Sequence, residues 1–422
     1  MRQRIIKVTE LPEDTSFNSV FEITSNNVNY YTHGFFKYPC KFIPHIPRWA
    51  IKKYSKEGDV VLDPFCGSGT TLLEAVTLNR IAAGIDFDPL SRLISRTKTY
   101  KYTKKDIRDI EKIREKISKG KLELYKEFVP DFSNISHWFP PQSIRGLSFI
   151  KSVILNNSNE KSRVRDFLML CLASTVRKCS FADDTSPKPY VSKRIKKSPL
   201  NPSAVFIKIL DNYLNELKDN QGLVKNKCFI IGGNAKKINR SRIKNYTRQN
   251  VSLAVTSPPY INAFDYVRSL RLENIWLGHI QEKEIPAYKE RQFGTEAIPV
   301  RVYNKEAPSH FSVKLDMALK EIYKKDGKRA FVVSRFFNDM QENIKQVYSL
   351  LKNGGHYVIV VGNSQIRDVD IPTSDVIIDI AKKENFRLVN LFSYRIKNRY
   401  LRIPRKGRGG LIKEDWVIAL EK

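Results

Sequence analysis

The sequence is short of the residues that build several kinds of protein. Its 422 residues include only five cysteines, and none of these forms a Cys-x-x-Cys pair or a cysteine–histidine cluster. An odd number without such spacing argues against a disulfide framework and against a structural zinc site, and free thiols are typical of a reducing cytosol. The six histidines show no metal-binding spacing, so we expect no metal.

Long apolar runs are also absent. No stretch of about 18 apolar residues occurs, which predicts that no helix of the chain spans a membrane. Charged residues interrupt the first seven positions before a signal-peptide core could form. We therefore expect a protein that stays in the cytoplasm.

Acidic residues are scarce relative to basic ones. The chain has 74 lysines and arginines against 44 aspartates and glutamates, a formal net charge of +30. So large an excess destabilises a compact fold by self-repulsion, and a polyanionic partner such as nucleic acid relieves it. A generally basic proteome is the alternative explanation. The hydrophobic fraction of 41% and the aromatic fraction of 11% suffice for a sizeable core, which excludes global disorder.

The order of apolar segments predicts a doubly wound, Rossmann-like α/β sheet. Residues 60–62 form a short apolar run that ends at Asp63, a glycine-bearing turn follows, residues 70–78 have helical spacing, and residues 81–85 form a second apolar run. Strand, turn, helix and strand in this order open such a sheet. A separate apolar segment is predicted at residues 330–333. Later strands are predicted at residues 228–231, 251–256, 356–361, 386–392 and 416–420.

The chain divides into a discontinuous sheet domain and an insertion. Residues 30–100 and 223–422 carry the sheet pattern, whereas residues 101–222 are basic and mainly helical. Residues 1–29 are polar and have no assigned role, with weak strand-like spacing from residue 28 to residue 31. We predict that the insertion lies outside the sheet and has a part in target recognition.

The glycine motif spans residues 63–71 and reads Asp-Pro-Phe-Cys-Gly-Ser-Gly-Thr-Thr. Gly67 and Gly69 let the backbone turn tightly after a strand and approach a ligand closely. The motif lacks the third glycine of a dinucleotide fingerprint and the Gly-Lys-Ser/Thr of a phosphate loop, which favours a nucleoside with an amino-acid tail. At the next strand end, Asp86 can accept both hydroxyls of a ribose, although such a residue is as often a helix cap or turn residue.

The tetrapeptide Ser257-Pro258-Pro259-Tyr260 ends the strand predicted at residues 251–256. Consecutive prolines fix the backbone and remove N–H donors, so the Ser257 hydroxyl and the Pro258 carbonyl are rigid acceptors. Two acceptors beside the flat ring of Tyr260 suit an exocyclic amino group on a planar base. An ordinary proline turn is the alternative.

Together these motifs resemble those of the S-adenosylmethionine-dependent DNA amino-methyltransferases. Residues 33–44 are similar to the family's segment that packs on the methionine part of the cofactor, and Asp86 is similar to its ribose-binding acid. Asn234 stands where the family often has an aspartate that binds the adenine amino group. The resemblance covers roughly residues 30–100 and 223–422 and implies S-adenosylmethionine as the cofactor. The cofactor-binding residues that it implies are Lys41, Phe42, Asp63, Pro64, Phe65, Gly67, Gly69, Thr70, Asp86, Phe87 and Asn234.

A Ser-Pro-Pro-Tyr tetrapeptide is typical of the cytosine-N4 branch, whereas Asp or Asn in its first position is typical of adenine-N6 enzymes. The resemblance implies a prokaryotic, nucleoid-associated DNA cytosine-N4 methyltransferase of a restriction–modification system, which acts on double-stranded DNA alongside a cognate restriction endonuclease. The implied catalytic residues are Ser257, Pro258, Pro259 and Tyr260. The alternatives are adenine-N6 methylation, RNA guanine-N2 methylation, and a DNA-binding subunit with an inactive methyltransferase fold.

Several basic stretches are candidates for phosphate contacts. No acidic residue lies between Glu384 and Glu414, and residues 221–264 are also free of them. Basic stretches around a nucleoside-modifying core favour binding to the DNA backbone, although each alone is more often a solvated face. Residues 101–222 and 280–303 are the two candidates for reading the target sequence. The predicted DNA-binding residues are Lys193, Arg194, Lys196, Lys197, Arg291, Arg399, Arg402 and Arg405.

Overall fold

A computed structural model of the chain describes residues 5–25, 27–194, 196–261, 265–303, 306–395 and 412–422. The strands are β1 (Ile5–Val8), β2 (Val20–Ile23), β3 (Val60–Asp63), β4 (Ile81–Asp86), β5 (Cys228–Gly232), β6 (Val251–Thr256), β7 (Leu351–Gly362), β8 (Ser364–Ile366), β9 (Val369–Ile371), β10 (Arg387–Arg395) and β11 (Glu414–Glu421).

Sixteen α-helices are found in the described ranges, and none of these is both long and apolar enough to cross a membrane. They are α1 (His45–Tyr54), α2 (Thr70–Thr77), α3 (Pro89–Thr99), α4 (Lys104–Lys119), α5 (Ile135–Trp138), α6 (Pro141–Asn157), α7 (Arg163–Val176), α8 (Pro202–Asp219), α9 (Arg240–Thr247), α10 (Tyr266–Ser269), α11 (Arg271–Leu277), α12 (Ile285–Arg291), α13 (Val300–Tyr303), α14 (Val313–Lys325), α15 (Gly327–Leu350) and α16 (Thr373–Lys383).

One sheet of nine strands organises the molecule, in the order β1-β2-β10-β11-β7-β6-β3-β4-β5. Every pair of neighbours is parallel except the two that involve β11, which runs antiparallel between β7 and β10. The chain proceeds outward from β3 to β4 and β5, then returns to β6 on the other side of β3. The predicted doubly wound α/β fold is confirmed. Such a sheet binds ligands at the carboxyl ends of its strands, where the order reverses.

Alternate residues of the central strands supply two separate cores. Val60 and Leu62 pack on one face with α14, α15 and α16, whereas Val61 packs on the other face with α1 and α2. All six residues of β6 are buried, and all four of β3. Parallel strands covered by helices on both faces consist of continuous apolar runs, which is the pattern that makes them recognisable in the sequence.

The predicted insertion forms a helical layer with a third core. Helices α4, α6, α7 and α8 pack with α3 and α11, and residues 101–222 contribute no strand to the main sheet in the part of the chain that is described. Strands β1 and β2 of the N-terminal segment instead extend the sheet, because β2 pairs in parallel with β10, Val20 opposite Ser393 and Phe21 opposite Tyr394. The N-terminal segment is therefore part of the sheet domain.

Two local predictions are wrong. The segment at 28–31 is not a strand: Tyr31 has a positive φ of 54°, which ends any extended chain and begins a short 3-10 helix. The segment at 330–333 is not separate but lies in the first turns of α15, the 24-residue helix. Its buried residues Ala330, Val333 and Phe337 recur at helical spacing and face one core.

Gly84 of β4 faces Leu72 of α2 with no room for a side chain, and we expect its replacement by alanine to destabilise the fold. A Cβ at this position would lie 2.5 Å from Leu72 Cδ1 and 3.1 Å from Cys66 Cβ. Such overpacking costs about 1–3 kcal/mol of the free energy of unfolding, which urea denaturation measures. The control is Gly34→Ala, whose nearest heavy atom would be 3.5 Å away and whose cost we expect to stay below about 0.5 kcal/mol. Equal losses in both variants would contradict the packing argument.

Candidate active site

A cleft lies where four parallel strands end at the same edge of the sheet. Asp63 ends β3, Asp86 ends β4, and the loops after β5 and β6 complete the wall. Its empty volume is about 890 Å³, part of it open to solvent. The predicted site residues that line it are Lys41, Phe42, Asp63, Pro64, Phe65, Gly67, Thr70, Asp86, Phe87, Asn234, Ser257, Pro259 and Arg291.

Asp63 joins the glycine turn to the tetrapeptide strand. Its Oδ1 accepts hydrogen bonds from the Phe65 backbone N–H at 3.0 Å and from Thr256 Oγ1, at the end of β6, at 2.6 Å. Burial raises the pKa of this carboxyl from 3.8 to about 6. Asp63 therefore fixes the relative positions of the two loops that border the cleft.

Helix α3 holds the turn from behind. Ser95 Oγ donates to the Gly67 carbonyl at 2.9 Å, and Lys98 Nζ donates to the Ser68 carbonyl, also at 2.9 Å. Gly69 has a φ of +75°, and a Cβ there would lie 2.8 Å from Ser95 Oγ. Gly69 is thus required for packing on α3 and does not line the cleft, whereas Gly67, with a φ of +46°, does.

Asp86 presents a carboxylate at the middle of the cleft. Its Oδ2 accepts from the Gly67 backbone N–H at 2.9 Å and its Oδ1 accepts from the Asp88 N–H at 2.8 Å. Burial, and then the negative charge of Asp88, raise the pKa of Asp86 to about 7. Arg92 donates to the backbone oxygens of Asp86 and Phe87. Each carboxylate oxygen keeps a further lone pair, which is the requirement for accepting two ribose hydroxyls.

Aromatic side chains and a clamp from α15 form the far end of the cleft. Phe65 meets Phe293 edge to face, with ring centroids 4.8 Å apart. Asp339 of α15 accepts from Lys236 Nζ at 2.9 Å and from the Gly294 backbone N–H at 3.0 Å. It therefore ties the loop after β5 to the segment that follows α12.

Asn234 lies in that loop, where the family often has an aspartate. Its amide oxygen accepts from the Lys236 backbone N–H at 3.0 Å, so it both lines the cleft and closes its own turn. Gln292 and Phe293 line the cleft as well, beside Arg291. The segment around Arg291, one of the two candidates for reading DNA, thus borders the cofactor side of the cleft.

The segment predicted to pack on the methionine part of the cofactor is anchored on α2. The buried Glu74 carboxylate accepts from Tyr30 Oη at 2.7 Å, His33 Nε2 at 2.8 Å and Arg48 Nη1 at 3.0 Å. Lys41 Nζ donates to Asn29 Oδ1 at 2.8 Å and to the His33 carbonyl at 3.0 Å. These contacts hold Lys41 and Phe42 at the cleft wall, and burial lowers the pKa of Lys41 to about 8.

The tetrapeptide follows β6 and reaches the cleft with two of its four residues. Ser257 and Pro259 line it, whereas Pro258 and Tyr260 do not. The Tyr260 hydroxyl donates to the carboxylate of Asp415, at 3.1 Å from Oδ1 and 3.2 Å from Oδ2. Asp415 has no motif around it in the sequence and is brought to Tyr260 only by the position of β11 in the sheet.

Among the cleft residues that were not predicted as site residues are two tyrosines and a cysteine. Tyr38 and Tyr266 lie with near-parallel rings, 27° apart in plane and 6.1 Å between centroids, and both line the cleft with Cys40. The Tyr38 hydroxyl pairs with Ser91 Oγ at 2.9 Å. Tyr266 is the first residue of α10 and follows Tyr260 by six residues. This nearness to the tetrapeptide is the sequence signal that could have indicated Tyr266 as a site residue.

The predicted DNA-binding residues divide into four groups, one of which is Arg291 alone, at the cleft. Lys193, Arg194 and Lys196 are exposed in the loop between α7 and α8. Lys197 donates to the carbonyls of Arg177 and Ala182, at 2.7 and 3.0 Å, and so braces the loop, and its contact with DNA stays a prediction. The predictions for Arg399, Arg402 and Arg405 lie outside the described residues.

The chain is similar to known methyltransferases. A family model described as DNA methylase matches residues 2–92, and one described as RMKL-like, methyltransferase domain, matches residues 53–139. The chain is 26% identical over 427 residues to Type II methyltransferase M.MvaI of Kocuria varians, covering 92% of this chain and 89% of the relative. It is 26% identical over 320 residues to Type II methyltransferase M.BsoBI of Geobacillus stearothermophilus, covering 69% of this chain and 61% of the relative.

The resemblance to DNA amino-methyltransferases is confirmed. The chain is a methyltransferase, and S-adenosylmethionine is the methyl donor that these matches imply. Among solved structures, the chain is similar to the crystal structure of an rRNA methylase from Streptococcus thermophilus. The match covers 91% of this chain and 98% of that one, at 9% identity and a TM-score of 0.31.

The residues of the cleft fit S-adenosylmethionine. Asp86 would hold the ribose, Phe87 and Phe65 would hold the adenine, and the turn at Gly67 with Phe42 would hold the methionine part. At Gly67 a Cβ would lie 3.4 Å from the Tyr38 ring, so the bare backbone leaves room for a ligand. Thr70 stands where a phosphate loop has a lysine, in keeping with a ligand that carries no phosphate.

We expect Asp86 to make cofactor affinity dependent on pH. The ionised carboxylate would accept from both ribose hydroxyls, so affinity should rise as the pH increases through about 7, the pKa of Asp86. Asp86→Ala should weaken binding roughly 10- to 150-fold, the equivalent of about 1.5–3 kcal/mol for hydrogen bonds to a charged group. Calorimetry from about pH 6 to about pH 8 measures both effects.

Asp86→Asn is the control for that titration, because it keeps the shape and cannot ionise; its affinity should not follow the same curve. The free energy of unfolding depends on pH with the opposite sign to cofactor affinity. A carboxyl whose pKa is raised from 3.8 to about 7 contributes stability below about pH 4 that is lost as the pH rises through 7. If Asp86→Ala bound S-adenosylmethionine with wild-type affinity, the assignment of Asp86 to the cofactor site would be wrong.

Proposed function

We propose that the chain transfers a methyl group from S-adenosylmethionine to the N4 amino group of cytosine in double-stranded DNA, as the modification enzyme of a restriction–modification system. The observation that carries the proposal is the position of Ser257 and Pro259 on the same cleft as Asp86 and the glycine turn. Donor and acceptor sites are therefore adjacent, at the reversal point of the sheet. The serine in the first position of the tetrapeptide favours cytosine.

The chemistry requires a poor nucleophile to be activated by orientation. The lone pair of an exocyclic amino group is delocalised into the base, and acceptors at Ser257 Oγ and the Pro258 carbonyl would hold its N–H bonds so that the lone pair is directed away from the ring. S-adenosylmethionine supplies an electrophilic methyl group. The two prolines keep the acceptors in place, and orientation of this kind provides much of the rate.

A covalent cysteine route does not suit this cleft. Cys66 lies at its wall, but burial raises the pKa of the thiol well above its ordinary value of 9.0. The thiolate is the reactive form, and burial disfavours it. Cys66 is therefore a packing residue, in contact with the position of Gly84, and direct transfer to nitrogen remains the favoured reaction.

The target base must leave the duplex to reach the cleft, because a stacked base cannot be approached in this way. We infer that the loop between α7 and α8 contacts the DNA backbone beside it. Lys37 Nζ donates to the Asp184 carbonyl at 3.2 Å and so ties this loop to the segment that carries Tyr38. Residues 280–303 are the second candidate for reading the target sequence beside the insertion, since Arg291 and Gln292 line the same cleft as Ser257 and Pro259.

The decisive experiment is to identify the methylated nucleoside. Purified protein is incubated with labelled S-adenosylmethionine and duplex DNA of mixed sequence, and the digested products are separated by chromatography and mass spectrometry. N4-methylcytosine is expected. N6-methyladenine would overturn the choice of base, methylation of RNA in preference to DNA would overturn the substrate, and no methylation of any nucleic acid would favour an inactive subunit.

Ser257→Ala should reduce methyl transfer without loss of cofactor binding. The substitution removes one acceptor that acts as the transition state forms, so the single-turnover rate should fall by roughly ten-fold or more. Ser349→Ala is the matched control, because Ser349 lies before β7 at the opposite edge of the sheet. A folded Ser257→Ala protein with the wild-type rate would defeat the assignment of the tetrapeptide.

The basic loop is tested by salt dependence. Replacing Lys193, Arg194 and Lys196 by alanine should weaken binding to specific and non-specific DNA alike and make the log–log salt slope shallower, by about 0.9 for each lost phosphate contact. The control replaces three exposed basic residues of α14, which lies outside the insertion: Lys320, Lys324 and Lys325. Equal changes in both triple variants would mean that net charge alone, and not this loop, is responsible.

A further inference from the structure

We propose that Asp415 is a positioning residue for methyl transfer, because its carboxylate fixes the ring of Tyr260 next to the acceptors of the tetrapeptide. The inference rests on the proposed function and adds to it a residue from the last strand of the chain. Asp415 does not line the cofactor cleft, and it would act on the reaction only through Tyr260.

The carboxylate of Asp415 is held by phenol donors. Tyr260 Oη lies 3.1 and 3.2 Å from its two oxygens, and Tyr394 Oη, from β10, lies 3.0 Å from Oδ2. Asp415 is 4% exposed, and no ion pair is formed with it by the described part of the chain. Hydrogen bonds from a hydroxyl to a buried carboxylate are short-range and directional, so they define where the phenol oxygen lies.

The sheet places Asp415 with little freedom. It is the second residue of β11 and lies between two strands, opposite Gly362 of β7 and Tyr394 of β10. A Cβ on Gly362 would lie 3.0 Å from Asp415 Oδ1, so the carboxylate occupies the space over that glycine. Position and direction of the acceptor are thus set by strand pairing.

Tyr260 is consequently restrained at both ends. Pro258 and Pro259 fix the backbone on which it stands, and Asp415 fixes its hydroxyl. A tyrosine has two side-chain torsions, and the second one sets the plane of the ring. Without the bond to Asp415 that plane would be less restrained, and the ring that follows the acceptors of the tetrapeptide would no longer be preorganised to receive the target base.

The proposal predicts coupling between two conservative substitutions. Asp415→Asn weakens the acceptor and Tyr260→Phe removes the donor while keeping the ring. Each should lower the single-turnover rate roughly ten-fold, since the bond has a charged acceptor. The double variant should be no slower than either single one, because both act through the same bond. Affinity for S-adenosylmethionine should stay unchanged throughout.

Tyr100→Phe is the matched control. It also removes a phenol–carboxylate bond, from Tyr100 Oη to Asp166 Oδ2 at 2.7 Å, but lies after α3 and away from the cleft edge. Its rate should equal that of the wild type. Additive losses in the Asp415→Asn/Tyr260→Phe pair, or a wild-type rate in folded Asp415→Asn, would overturn the proposal.

A second measurement separates this inference from the proposed function. In protein labelled with 3-fluorotyrosine, the ¹⁹F resonance that disappears in Tyr260→Phe belongs to Tyr260. It should shift in Asp415→Asn and stay in place in Tyr100→Phe. An unmoved resonance would show that the bond is absent in solution, whatever nucleic acid the protein methylates. A shifted resonance in a protein without activity on DNA would leave the bond standing and refute the proposed function instead.

Discussion

The parallel pairing of β3 with β6 is the contact on which the site depends. These strands are joined at their carboxyl ends by the hydrogen bond from Thr256 to Asp63, at 2.6 Å, although 193 residues separate them. One strand leads into the glycine turn and the other into the tetrapeptide. Methyl transfer requires a donor and an acceptor within contact distance, and this pairing brings their two binding loops together.

Burial gives the cleft an unusual electrostatic character for so basic a chain. The carboxyls of Asp63, Asp86 and Asp415 have raised pKa values of about 6, about 7 and about 6, because each is removed from water. A cation in the cleft stabilises the ionised forms of its two wall residues, Asp63 and Asp86. Binding of a sulfonium cofactor and loss of protons are therefore linked, while the exposed lysines and arginines remain available for a polyanion.

The sheet, and the loops after β3 and β4 that line the cleft, could be predicted from the sequence because their signals are local. Continuous apolar runs mark parallel strands, and strand, glycine turn and carboxylate occur within the 24 residues from Asp63 to Asp86. Asp415 could not be predicted in the same way. Its partner Tyr260 is 155 residues distant, and only the antiparallel insertion of β11 between β7 and β10 brings them together.

The role of Lys197 was equally inaccessible. Its sequence neighbours are basic and exposed, so composition assigns Lys197 to the same basic surface as Lys196. In the structure its ammonium group donates hydrogen bonds to backbone carbonyls of the loop. The position of Gly69 could not be predicted either, because Gly67 and Gly69 occur in one motif and look equivalent in the sequence. Its contact with Ser95 of α3, and not with the cleft, is a property of helix packing that no local pattern records.

The order of strands also sets a condition on folding. β2 pairs with β10, and in the described sheet β10 is joined to the central strands through β11. The pairing of β2 with the rest of the sheet therefore depends on strands that lie more than 360 residues away along the chain. Until β11 pairs with β7, that edge of β7 is open and Tyr260 lacks its carboxylate partner, so the site is completed by long-range contacts and not by its own motif.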